Sequence, residues 1–360
     1  MELTDRCNLA CKHCYINLPT GDRAARAAEL STEEVCRILD EIADAGCLWY
    51  LLTGGDPLLR PDFLDIYTHA KENGLLVIVF TNGTMITPKI ADYMAKLPPR
   101  AIEITLYGMT EATYEAVTGL PGSYKKCIRG IELLHERGLP LKLKTVGLTI
   151  NKHELADMRA YSESLGLEAL KIDYQINPRL NGSKIPCNVR LNPKEIVELQ
   201  MSDPEYRSKF VDFELNNREL AAEGISENLY NCGAGLSLFH IDAYGRLSLC
   251  MISRLNSYDL REGSFFEGFK DYLLGARTKA RPRDQLCNQC EIMHICDHCP
   301  AWSEMVHGVL DKPVEFLCEL THRQAAEMGI YPENPVLDLR RLDREPEDPK
   351  REVVPLRVVA

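Results

Sequence analysis

Long apolar runs are missing from this sequence: none approaches the ~18 residues that a membrane-crossing helix needs. The start, Met1-Glu2-Leu3-Thr4-Asp5-Arg6, lacks the charged-then-apolar layout of an export signal. Together these absences point to a cytoplasmic chain. A cationic surplus is missing too. Lys and Arg number 42 against 53 Asp and Glu, a formal net charge of −11, which opposes non-specific nucleic-acid or anionic-membrane binding, so no nucleic-acid and no membrane partner is expected. The basic stretch Arg277, Lys279, Arg281, Arg283 reads as a solvated loop. There is no low-complexity tract, and 45% hydrophobic with 26% charged residues is the composition of a folded globular protein. The 360 residues leave room for one large domain and a small one.

What the chain has in excess is cysteine, 14 in all. Reducing cytosol does not maintain a disulfide framework, so clustered cysteines there point to metal. Cys7, Cys11 and Cys14 form one group, and Cys232, Cys250, Cys287, Cys290, Cys296, Cys299 and Cys318 a second. Cys36, Cys47, Cys127 and Cys187 are scattered and read as small buried hydrophobes.

Up to about residue 176, short apolar or β-branched runs alternate with helical patterns. Strands are expected at 2–4, 49–52, 75–80, 101–106, 141–148 and 169–176, and helices at 61–72, 88–96, 124–137 and 152–164. A further helix opens on a capping box, Ser31 with Glu34, presents Val35, Ile38, Leu39 and Ile42 on one face, and ends at Gly46. This alternation predicts an α/β fold, a partial (β/α)6 TIM-like barrel of parallel strands whose chemistry sits at the C-terminal strand ends. The expected organisation is a barrel over 1–186, a Pro-rich connecting segment with one or two short helices over 187–226, a second domain over 227–322 and a tail over 323–360.

The first cysteine group follows the first expected strand at spacings of four and three, so three thiolates can converge at the barrel's C-terminal end. Iron–sulfur clusters normally take four cysteine ligands, and a three-cysteine loop leaves one iron open to a non-protein ligand. A zinc site completed by His13 or a distant residue is the other reading of the spacing.

Cys7-Asn8-Leu9-Ala10-Cys11-Lys12-His13-Cys14 resembles the signature of the radical S-adenosylmethionine superfamily, with His13 at the usually aromatic position near the adenine. The resemblance implies a 4Fe-4S cluster at the triad whose open iron binds the amino and carboxylate groups of S-adenosylmethionine. Reductive cleavage then yields a 5'-deoxyadenosyl radical that takes a hydrogen atom from substrate. It also implies cofactor contacts from Gly54, Gly55 and Asp56 in Leu52-Thr53-Gly54-Gly55-Asp56-Pro57, where Asp56 replaces the family's glutamate, and from Thr105. Asn82 is expected to line the pocket or to form a turn. Thr118 stands where many relatives carry an arginine that reaches the cofactor carboxylate. The signature begins at Cys7, which suggests a short or trimmed start with no leader-recognition module upstream.

The second group resembles the SPASM extension found in part of this superfamily. That resemblance implies an auxiliary cluster on Cys287, Cys290, Cys296 and Cys318, and another on Cys232, Cys250, Cys299 and a fourth ligand. Cys187, Ser226 and an open site are the alternatives for that fourth position. Two residues separate Cys296 and Cys299 where the family usually has three. Taken alone, the pairs also fit zinc ribbons. His294 and His298, among the ligands, read as turn histidines.

The expected activity is hydrogen abstraction from a residue of a ribosomally made peptide, forming a crosslink, thioether or altered centre. Oxidation of a sulfatase residue or of a carbohydrate alcohol is the alternative chemistry, and a zinc-stabilised binding protein or a bare redox carrier the non-catalytic ones. The expected partners are the peptide, an electron donor such as flavodoxin or ferredoxin, and a separate leader-binding protein. His240, Asp242 and Tyr244 are candidates for a general base, although Asp242-Ala243-Tyr244-Gly245 reads first as a hairpin turn.

Overall fold

The computed structural model describes residues 1–222, 228–254, 257–278 and 286–330. Lys279, Arg281 and Arg283 of the basic stretch and Ser226 lie outside these residues, as does the tail from 331. The chain forms two compact units, Met1–Arg190 with Gly233–Ala276, and Leu191–Cys232 with the chain from Arg277 on. The first division falls at 190, and 233–276 groups with the barrel.

In the first unit, β1 (Arg6–Cys7) and β2 (Leu18–Pro19) pair in parallel across the triad loop. The main sheet is β3 (Trp49–Leu52), β4 (Leu76–Thr81), β5 (Ala101–Thr105), β6 (Leu141–Val146) and β7 (Lys171–Asp173), all parallel and in chain order. Sequential order with a helical connection between neighbours is barrel-type winding. The first expected strand, at 2–4, is reduced to one bridge, Glu2 to Thr53. Its backbone is shared between two neighbours: Leu3 N–H donates to Thr53 O, whereas Glu2 N–H donates to Ile241 O, both at 2.8 Å.

Helices α1 (Arg23–Ala28), α2 (Thr32–Asp44), α3 (Phe63–Glu72), α4 (Pro88–Lys96), α5 (Glu111–Thr118), α6 (Ser123–His135) and α7 (Leu155–Ser164) carry the connections. The capping box forms as read, Ser31 Oγ accepting from Glu34 N–H at 3.2 Å and Glu34 Oε2 from Ser31 N–H at 2.7 Å. Val35, Ile38, Leu39 and Ile42 are buried. On the sheet, Tyr50, Leu52, Val77, Val79, Ile102, Ile104, Leu141 and Leu143 are buried. The alternate positions, Phe80, Glu103, Thr105, Lys144, Val146, Lys171 and Asp173, line a cavity. Period-two alternation therefore separates an apolar face from a largely polar, ligand-accessible one. Of the scattered cysteines only Cys127 is fully buried; Cys36, Cys47 and Cys187 are half-exposed, Cys36 because it lies off the apolar stripe of α2.

A three-stranded antiparallel sheet, β8 (His240–Ile241), β9 (Arg246–Ser248) and β10 (Tyr258–Asp259), completes this unit, followed by α10 (Phe265–Glu267), a π-helical stretch Gly268–Leu273 and α11 (Leu274–Arg277). The second unit holds α8 (Pro193–Met201), α9 (Pro204–Ala222), α12 (Pro300–His307) and α13 (Glu315–Glu327). The 19-residue α9 exceeds the short helices expected of this segment. Phe210, Ile292, Ile295 and Ala325 form a core there. Gln324 Nε2 donates to buried Gln200 Oε1 at 2.9 Å. No described helix is long and apolar enough to cross a membrane.

Candidate active site

The triad loop is held from both sides. Ala10 and Lys12 N–H donate to Thr118 O and Val117 O at the C-terminal end of α5. Asn17, at a left-handed φ of 58°, donates its N–H to Cys14 Sγ at 3.2 Å, and Leu9 N–H reaches Cys7 Sγ at 3.4 Å. The segment before the loop runs against Gly54 and Gly55. Gly55 N–H donates to Thr4 O at 2.6 Å and Asp56 N–H to Arg6 O at 3.0 Å. A Cβ on Gly54 would stand 2.3 Å from Thr4 O and one on Gly55 2.2 Å from Arg6 O, so only glycine permits this approach.

Cys7, Cys11 and Cys14 line a cavity of about 410 Å³ together with His13, Tyr15, Gly54, Gly55, Asn82, Thr105 and Tyr107. Asn82 Nδ2 donates to Asn8 Oδ1 at 2.9 Å and lies 3.7 Å from Cys7 Sγ; it is therefore both turn and wall. Burial pushes the Cys7 thiol up to about 12, and raises Cys11 and Cys14 as well. Three thiolates in such a place need a cation to compensate desolvation, which is what cluster iron provides. The donor set fits the implied cluster. His13 is lowered by burial to about 4, so its ring is neutral. Its Nδ1 is buried without a hydrogen-bond partner, and its ring centroid lies 5.0 Å from that of Tyr107. A neutral aromatic face with an unused ring nitrogen suits a heteroaromatic ligand.

Four residues singled out for the site lie off the cavity wall. Asp56 is fully buried and is not among the cavity-lining residues. Its carboxylate accepts from Leu58 N–H at 3.0 Å, Thr81 Oγ1 at 2.8 Å and Asn82 N–H at 2.9 Å, tying the ends of β3 and β4 together. The general-base candidates are also structural. Asp242 Oδ1 accepts from Tyr244 and Arg246 N–H, both at 2.9 Å, making the hairpin turn. His240 lies 3.3 Å from Glu2, whose other partners are Tyr15 and Arg254, both at 2.6 Å. None of the three lines the cavity. Thr118 shares a hydrogen bond with Ser123 at 2.8 Å and does not line it either.

In the second unit, Cys287, Cys290, Cys296 and Cys318 line one small cavity with Thr321, His298 and His322. Thr321 Oγ1 donates to Cys296 Sγ at 3.5 Å, and His322 Nδ1 is 3.8 Å from Cys318 Sγ. Cys290 N–H donates to Cys287 O and Cys296 N–H to Met293 O, turns that point successive thiols inward. Burial raises Cys296 to about 12, with the charges of Cys287 and Cys290 adding to it. Cys232 is exposed and Cys299 caps α12; both belong to the second unit and Cys250 to the first. His294 lies 3.5 Å from Glu214.

Residues 1–161 match the family model described as the Radical SAM superfamily. The chain thus carries a radical SAM domain. It is accordingly an enzyme with a domain whose family uses S-adenosylmethionine and a 4Fe-4S cluster. It is similar to the AdoMet-dependent heme synthase of Methanosarcina barkeri, 24% identical over 324 residues that cover 83% of this chain and 90% of that protein. It is also similar to the mycofactocin maturase MftC of Mycobacterium ulcerans, 27% identical over 304 residues, 82% of this chain and 80% of the relative. Streptococcus suis SuiB bound to S-adenosylmethionine shares the fold, with a TM-score of 0.65 at 15% identity over 88% of this chain and 74% of that one. Several residues on this radical SAM cavity wall were not singled out from the sequence: Tyr15, Glu103, Tyr107, Lys144, Lys171, Asp173 and Met251. The period-two spacing of 103 with 105 and of 171 with 173 was the available signal.

Proposed function

We propose that Cys7, Cys11 and Cys14 hold a 4Fe-4S cluster, and that S-adenosylmethionine binds beside it against His13, Gly54, Gly55, Asn82 and Thr105. The enzyme abstracts a hydrogen atom from a residue of a ribosomally made peptide. The observation that carries this is the convergence of the three signature cysteines on one cavity with those residues. Among the described residues no three His, Cys, Asp or Glu side chains gather closely enough for a single metal ion. A three-cysteine loop suits a cluster, whose irons take one thiolate each and leave one iron open to the cofactor. When bound, cluster and cofactor supply a 5'-deoxyadenosyl radical. The chain's own residues orient and shield: Asn82 directs its amide toward Cys7 Sγ, a contact that tunes potential, and neutral His13 with Tyr107 provides an aromatic wall.

Cys287, Cys290, Cys296 and Cys318 are proposed to hold an auxiliary cluster of SPASM type, and Cys232, Cys250 and Cys299 a second, which would pass on the substrate's second electron. A flavodoxin or ferredoxin would supply the first. A tetrapyrrole is the second substrate reading, favoured by similarity that extends over 90% of a heme synthase.

The test is anaerobic reconstitution, with iron expected near 12 per chain for three 4Fe-4S clusters. Dithionite-dependent release of 5'-deoxyadenosine is expected in the wild type and is lost in Cys14→Ala. Mass spectrometry with short ribosomally made peptides, and separately with iron coproporphyrin III, decides the substrate. Deoxyadenosine release by Cys14→Ala at the wild-type rate rejects the triad assignment.

A further inference from the structure

Three hydrogen-bond donors stand in one row on the cavity wall. Thr105 on β5 is in register with Lys144 on β6, and Lys144 with Lys171 on β7. All three line the cavity that contains the cysteine triad. Two lysines directly opposite one another destabilise a strand pair unless something offsets their repulsion. The neighbouring charges do so only in part. Glu103 Oε2 is 3.4 Å from Lys144 Nζ, longer than the ~2.7–2.9 Å of a charge-assisted bond. Asp173 directs one oxygen to Gln175 N–H at 2.9 Å. Lys171 makes no ion pair among the described residues, and the Thr105 hydroxyl has no hydrogen-bond partner among them.

Lys144 is not an ordinary surface lysine. Its side chain is 22% exposed, and its ammonium lies over the Phe80 ring, 2.8 Å from the centroid. Desolvation lowers its pKa to about 8, with Lys171 adding to the effect against the opposing charges of Glu103 and Asp173. Holding a half-desolvated ammonium there is costly, and a bound anion removes the cost. The flanking carboxylates repel a dianion more strongly than a monoanion, so the fitting partner carries a single negative charge and two acceptor oxygens.

Resting on the radical SAM reading of the cavity, we propose that Thr105, Lys144 and Lys171 form a carboxylate cradle. The carboxylates it would take are those of S-adenosylmethionine and of the substrate. The test measures binding to the reconstituted holoenzyme under anaerobic, non-reducing conditions. One arm compares S-adenosylmethionine with its decarboxylated analogue by calorimetry; the other titrates iron coproporphyrin III, whose only anionic groups are carboxylates, by its Soret band. The expected result is an affinity loss of at least tenfold in Lys144→Met and in Lys171→Met for one carboxylate ligand, with Lys144→Arg retaining most of it. If S-adenosylmethionine shows the loss and its decarboxylated analogue does not, the cradle serves the cofactor; if the porphyrin shows it, the cradle serves substrate. Unchanged affinity of both ligands in both Met variants overturns the proposal, and Lys171, being exposed, gives that answer even if Lys144→Met does not fold. A wild-type holoenzyme that binds no S-adenosylmethionine rejects the radical SAM reading of the site, while the porphyrin arm still decides the cradle.

Discussion

Replacing Gly55 by alanine inserts one methyl group where the backbone has left no room. Its Cβ would meet Arg6 O at 2.2 Å, Arg6 C at 2.5 Å and Asp5 O at 2.7 Å, against 3.4 Å or more in ordinary contact. Every atom it meets is main chain, so no side chain can rotate aside. The segment must retreat by about 1 Å, yet Arg6 is anchored by its pairing with Leu18 and by its ion pair with Glu29 at 2.8 Å. Overpacking of this kind costs about 1–3 kcal/mol, and stretching the two backbone bonds from Gly55 and Asp56 adds about 1 kcal/mol each.

Arg6 immediately precedes Cys7, so the displacement reaches the triad. A misplacement near 1 Å at a reacting centre costs up to ~100-fold in rate. Gly55→Ala is therefore expected to lower 5'-deoxyadenosine release by about ten- to a hundredfold and to reduce iron retention at the triad. The second unit, which contains none of the displaced residues, should keep its cluster. Gly21→Ala is the control, because a Cβ there has nothing within 4 Å, and its effect should stay within about 0.5 kcal/mol. Wild-type cleavage and melting temperature in Gly55→Ala would refute the claim that this glycine positions the triad.

Cys290→Ala should remove about four irons per chain and lower the melting temperature of the second unit, since cluster binding contributes folding energy there; deoxyadenosine release persists while product yield collapses, and undiminished product would show that this cluster carries no electron. Asp56→Ala leaves three donors without their acceptor in a buried site and should destabilise the barrel by about 3 kcal/mol or more, at about 1–3 kcal/mol for each unsatisfied donor, so a thermal shift corresponding to less than about 1 kcal/mol would mean the site rehydrates. Lys144 titrates at about 8 in the fold against an ordinary 10.5. Between those values the unfolded chain binds more protons than the folded one, so this group's contribution makes stability rise with pH across that window and leaves it lower below about 8. Fluorimetric melting of wild type and Lys144→Met from pH 7.5 to 10 checks this, and identical profiles would contradict the assigned burial.

What could be read in advance depended on whether the information was local. The capping box at Ser31 and Glu34, the apolar face of α2, the helix over 88–96 and the parallel alternation are set by neighbours within one or two turns, and they appear in the structure. The gathering of Cys287, Cys290 and Cys296 follows from close spacing, whereas Cys318 joins them through the packing of α13, and only the family resemblance anticipated it. The hydrogen-bond partners of Asp56 are Thr81 and Asn82, at the end of the next strand and just past it, which no local pattern reveals. The segment at 2–4 reads as a strand, but its hydrogen bonds divide between Thr53 and Ile241, the latter some 240 residues away. The row of Thr105, Lys144 and Lys171 is hidden in the sequence for a different reason. Lys142 and Lys144 on β6 look like the solvent side of an amphipathic strand, and so they would be in a flat sheet with one wet face. In a partial barrel that polar face turns inward toward the strands' C-terminal ends, and Lys144 becomes part of a cavity wall there, whereas Lys142, nearer the start of the strand, pairs with Glu168 instead.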